Sequence, residues 1–170
     1  MPDFPRPSTE TQLREWRTGQ AGSERLAAAI LHLDGFEDID PQAPLGGADD
    51  KKDILCRKGA TTYVAGVYFP NGDKSFSDIK SKFEGDLDGS VHHGRQGFIF
   101  VTNQHIGLTD RTTLEELAAA KDKVCILWPA PRKVARFQRE DFGLFMTMSK
   151  EKSHGSSKTL HTRTDYFETA

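Results

Sequence analysis

Apolar residues recur along this chain in two rhythms. From Ser23 to Leu33 they fall every third or fourth position: Leu26, Ile30 and Leu33 form a stripe that Ala27, Ala28 and Leu31 widen, the spacing of a buried helix. A weaker helical stretch precedes it from about Thr9, carrying Leu13, Trp16 and Arg17, with Gly19 and Gly22 separating the two parts. Gly35 ends the helix and Phe36 to Ile39 lead into a short strand. The rhythm then changes. Gly46 to Phe69 reads as a glycine-rich acidic turn, a strand opening at Asp53-Ile54-Leu55-Cys56, a tight turn at Lys58-Gly59-Ala60, and a second strand from Tyr63 to Phe69. That second strand is β-branched, aromatic and almost uncharged, as expected of a strand buried on both faces.

Pro70-Asn71-Gly72-Asp73 predicts a turn, and Ser75 with Asp78 three residues later predicts a capped helix whose buried stripe is Phe76, Ile79, Phe83 and Leu87. Gly89 to Gly97 reads as a polar loop with His92, His93 and Arg95. A central strand follows over Gly97 to Asn103, then a helix capped by Thr109 and running from Asp110 to about Ala120, with Leu114, Leu117 and Ala118 inward. A last strand covers Val124 to Trp128. A helix between two buried strands, twice over, implies parallel crossovers in the second half of a mixed sheet, so the fold class is α/β.

With 170 residues, one domain is expected, long enough to bury about two thirds of its unfolded surface. It spans residues 1–149, with a polar, disordered tail over 150–170. Residues 1–9 are proline-rich and expected to be extended or disordered. The chain's 36 % hydrophobic and 28 % charged residues are those of a soluble protein. No apolar run reaches the roughly 18 residues of a membrane span, and the N-terminus lacks the form of a secretory signal, which points to the cytoplasm. Cys56 and Cys125 fall within predicted strands and read as buried free thiols. The net charge of −2 argues against wholesale binding to nucleic acid, but positive charge gathers late, with 8 Lys and Arg against 5 acids after Trp128. Arg132, Lys133, Arg136 and Arg139 lie there in one run.

Chemistry centres on the acidic turn. A carboxylate at the lip of a central sheet, as expected for Asp53, suits a hard divalent cation, which takes oxygen ligands. Gly46-Gly47 is followed by acids, so the turn is no phosphate cradle unless a cation intervenes, and serine or cysteine nucleophile signatures are absent. His92 and His93 have no further ligand at a diagnostic spacing and read as solvated loop residues. Lys80 and Lys82 flank the stripe of their helix, where Asp78, Glu84 and Asp86 are the nearby acids to pair with. Glu24 sits one turn into its helix, where the dipole favours an acid.

Gly46-Gly47, Asp49, Asp53 and the strand Tyr63-Val64 resemble the core motif of the restriction-endonuclease-like PD-(D/E)xK superfamily, and especially its Mrr-like branch, over roughly residues 10–128. There a glycine-rich turn and an Asp precede a strand reading Tyr-Val-Gln-x-Lys-x-Tyr. Ala65 stands here at the Gln position and Val67 at the Lys position, and neither can ligate a metal or activate water. The resemblance implies a three-layer core, a central mixed sheet flanked by helices, and DNA phosphodiester hydrolysis with Mg²⁺ or Mn²⁺. By the same resemblance, Asp53 and Glu24 are the metal ligands and Lys82 takes over the role of the missing strand lysine. Lys80, Arg132, Lys133 and Arg136 are the candidate DNA contacts. It also implies a bacterial setting in which such domains stand beside NTPase or sensor modules of defence systems. Two other readings stay open: a catalytically silent module of the same fold that binds DNA or a protein partner, and a structural domain with no nucleic-acid role.

Overall fold

Five strands form one sheet whose spatial order is the order of the chain. They are β1 (Glu37–Pro41), β2 (Ile54–Lys58), β3 (Thr61–Tyr68), β4 (Gly97–Thr102) and β5 (Val124–Pro129). The helices are α1 (Thr9–Arg14), α2 (Gly19–Leu33), α3 (Phe76–His92) and α4 (Leu108–Ala119). The structure is a computed structural model, and it describes residues 8–41 and 54–129. β1, β2 and β3 are antiparallel neighbours, whereas β3, β4 and β5 run parallel, with α3 and α4 as the connections. The mixed sheet and its two parallel crossovers are as the hydrophobic pattern predicts.

Alternation along β3 and β4 divides the core in two. Tyr63, Ala65, Val67, Ile99 and Val101 pack with Leu13, Trp16, Leu26, Ala27, Ile30 and Leu31 of the α1 and α2 side. Phe98 and Phe100 point the other way and pack with Ile79, Phe83 and Leu87 of α3 and with Leu114 and Ala118 of α4. Phe83 meets both rings edge-on, at 5.3 Å between centroids. Helices therefore cover the sheet on both faces. The β2–β3 hairpin turns at Gly59, whose φ of +60° a side chain would resist.

Several boundaries differ from the sequence expectation. α2 starts at Gly19, four residues before Ser23, and runs through Gly22. A Cβ on Gly22 would lie 2.6 Å from Thr18 Cγ2, so the glycine is what lets the first turn close against the Thr18 and Trp16 side chains. Leu33, expected in the buried stripe, is 50 % exposed. The buried face of α2 is instead Leu26, Ala27, Ile30 and Leu31, because the helix closes in a Schellman turn. Phe36 N–H donates to Leu31 O and Gly35 N–H to His32 O, which folds Phe36 back onto the Leu31 side. α3 continues through Gly89 and Ser90, both buried, to His92, so half of the expected polar loop is helix. The Ser90 hydroxyl is satisfied by Leu87 O at 2.7 Å. α4 is capped by Gly107, and Thr109 lies inside it, its carbonyl accepting from the Thr113 hydroxyl.

A polar knot closes the carboxyl end of β4. Asn103 Nδ2 donates to Leu13 O at 2.7 Å and to Pro70 O at 2.8 Å. Gln104 Nε2 donates to Asn103 Oδ1 and Gly72 O, and its Oε1 accepts from Lys74 N. Buried amides thereby tie the end of α1 and the β3–α3 turn to the sheet.

Candidate functional site

Ser75 fixes where α3 begins: its hydroxyl accepts from Asp78 N and donates to Asp78 Oδ2 at 2.7 Å. Five to seven residues on, the helix places Lys80 and Lys82. Both are ion-paired one turn ahead, Lys80 with Glu84 at 4.0 Å and Lys82 with Asp86 at 2.5 Å. The second pair stands apart from an ordinary surface contact. The Asp86 side chain is only 14 % exposed and lies against Gly66 in the middle of β3. A Cβ on Gly66 would be 2.8 Å from Asp86 Oδ2 and 3.0 Å from Asp86 Cβ. Carboxylate and strand backbone can approach this closely only because residue 66 has no side chain.

The two flanks of α3 do different things. Asp88 reaches across to Lys121, beyond the end of α4, and Phe83 packs on β4. Lys82 and Asp86 occupy the flank over β3, the side on which β2 follows. Leu55, Arg57 and Thr62 point to this same face by strand alternation, and a cavity of about 330 Å³ opens on it. Its lining includes Asp38, Asp40, Leu55, Arg57, Thr62 and Arg95. The cavity borders a bulge in β1: Glu37 pairs with Arg57 and Asp40 with Leu55, so Asp38 and Ile39 together oppose Cys56. Asp38 takes a left-handed φ of 51° there. The Arg57 guanidinium clamps the bulge, meeting Glu37 at 2.7 Å and Asp38 at 2.8 Å, with a further bond to Gly59 O. The hydrogen bond and charge of Asp38 push the Arg57 pKa up, so it stays cationic.

Glu24 is on the other face. It lies on α2, whose layer packs against Ala65 and Val67, and its Oε1 accepts from Gln20 Nε2 at 3.0 Å. Glu24 and Lys82 are thus carried by helices on opposite sides of the sheet. Ala65 and Val67, at the motif positions of the resemblance, are 0 % and 3 % exposed in the apolar layer. Asp49, Asp53, Arg132, Lys133 and Arg136 lie outside the described residues, as does the 150–170 tail.

No group of three or more His, Cys, Asp or Glu side chains that could hold a metal ion occurs among the described residues. The thiols are free, and burial pushes Cys56 up to about 11; Cys125, pushed up first by burial and then by the charge of Glu115, reaches about 12. Both are inert as nucleophiles at neutral pH. No helix among the described residues is long and apolar enough to cross a membrane.

The contact that periodicity did not single out is Gly66 with Asp86. Its signal was a glycine interrupting the run Tyr63-Val64-Ala65-Gly66-Val67-Tyr68, and an aspartate in the middle of a helix. No family model matches the chain, and neither a curated protein nor a solved structure matches it.

Proposed function

We propose that this chain is an endonuclease-like module that hydrolyses DNA phosphodiesters with Mg²⁺ or Mn²⁺, its lysine carried by α3 instead of by the strand. The observation that carries this reading is the sheet itself. A mixed sheet of five strands with helices on both faces agrees with the three-layer core that the acidic-turn resemblance implies. The Lys82–Asp86 pair over Gly66 supports it further, since it sets an ammonium group on the α3 flank nearest the hairpin.

In this reading Asp53, which directly precedes β2 in the sequence, holds the cation, the carboxylate oxygen being the donor that hard ions take. The bound ion supplies charge to steady the scissile phosphate and a water of lowered pKa. Lys82 places its ammonium on a phosphate oxygen, where fixed positive charge counts most as negative charge builds up. Glu24, the second ligand that the resemblance implies, is carried on α2, in the helix layer opposite to Lys82, and Lys80 with the Arg132–Arg136 run meets the backbone of the duplex. A defence-system setting beside an NTPase or sensor module rests on analogy alone.

Incubating the protein with supercoiled plasmid and Mg²⁺ or Mn²⁺ tests the reading. The wild type should nick, Asp53→Ala should not, and Lys82→Ala should be slower by about 10²-fold. A wild type that leaves the plasmid intact, or equal nicking by wild type and Asp53→Ala, overturns it.

The burial of Ala65 and Val67 favours one second reading, a silent module of the same fold that binds DNA or a protein partner. Salt-dependent DNA binding without metal-dependent nicking is its signature.

A further inference from the structure

We infer that Asp86 is the positioning residue for Lys82, the carboxylate that fixes the ammonium over β3, and that Gly66 is present to admit it. This rests on the endonuclease-like reading above. Two local preferences are broken at this one contact. Glycine weakens a strand interior, yet Gly66 stands within β3, paired with Phe100 of β4. Aspartate is a poor residue for a helix interior and its charge is costly to bury, yet the Asp86 side chain is 14 % exposed in the middle of α3.

The neighbouring pairs of the same helix set the contrast. Glu84 with Lys80 and Asp88 with Lys121 have side chains 45 % and 59 % exposed, as surface pairs do. Where local rules fail together at one place, the place is expected to serve function. Here the result is a lysine whose ammonium is bonded at 2.5 Å to a carboxylate that lies against the sheet at Gly66. Asp86 acts through Lys82 and does not touch the substrate.

The test is plasmid nicking by the full chain with Mg²⁺, using wild type, Asp86→Asn, Lys82→Ala and the double variant, beside thermal melts of each. Asp86→Asn keeps the shape and removes the charge. It should lower the turnover rate at least tenfold with the KM for DNA and the melting temperature nearly unchanged, and the double variant should be no slower than Lys82→Ala alone. Nicking by Asp86→Asn at the wild-type rate, or additive losses in the double variant, overturns the inference while leaving the endonuclease reading intact. A loss of turnover that only follows a loss of thermal stability also overturns it, because a merely structural pair behaves that way. A wild type that does not nick overturns both.

Discussion

Replacing Gly66 by alanine tests the central contact through stability alone, independent of any activity. The added methyl would lie 2.8 Å from Asp86 Oδ2 and 3.0 Å from Asp86 Cβ. The carboxylate could swing away, but the Cβ is fixed to the backbone of α3, so helix or strand has to move by a few tenths of an ångström. Overpacking of this kind costs about 1–3 kcal/mol. Against it stands a gain of about 0.5–1 kcal/mol from removing a glycine from a strand interior. Gly66→Ala should therefore destabilise by about 1–2 kcal/mol. In an Asp86→Gly background the obstruction is gone and only the gain remains, so the same substitution should stabilise by about 0.5–1 kcal/mol. The coupling between the two positions is then about 2 kcal/mol, well above the roughly 0.3–0.5 kcal/mol within which independent sites add. Urea unfolding of the four proteins, read at constant slope, gives the value directly. Additivity within about 0.5 kcal/mol would refute the contact and the account of Gly66 built on it.

Two further outcomes follow from other parts of the fold. Gly85 lies in α3 with nothing within 4 Å of where its Cβ would be, so Gly85→Ala should raise stability by about 0.5–1 kcal/mol in a thermal melt, and a decrease would contradict its open helical setting. Cys56 titrates near 9.0 when unfolded and near 11 when buried, so the folded state keeps a proton that the unfolded state loses. The associated stability is full below pH 9.0 and is lost as pH rises to 11, at about 1.4 kcal/mol per pH unit; Cys125, raised to about 12, adds a like fall over the same window, so Cys56→Ala should make the decline of urea midpoints shallower by about half, and an unchanged slope would refute the burial effect.

What the chain encodes locally was legible. The 3.6 rhythm of Ile79, Phe83 and Leu87 and the Ser75 cap gave α3, and the runs at Tyr63 and Gly97 gave the buried strands. The helix between each successive pair of parallel strands gave their direction, since a parallel neighbour requires a crossover. Helix ends were less legible. Whether Gly22 interrupts α2 or lets it pack on Trp16, and whether Gly89 and Ser90 are loop or helix, depends on what lies across from them. Glycine and serine disfavour a helix interior by only about 1 kcal/mol or less, which packing outweighs.

The candidate site divides along the same line. The sequence by itself determined which side chains bear the charge, and that Lys82 and Asp86 share a helix flank one turn apart, because α-helical geometry fixes that spacing. Only the tertiary structure decided that this flank lies on a glycine of the central sheet, that Glu24 is carried on the opposite face, and that Ala65 and Val67 are sealed in apolar packing. Pairing within a helix is a matter of a few residues, but which face of a sheet a helix covers is fixed by strand order and by long-range burial, and those are properties of the whole chain.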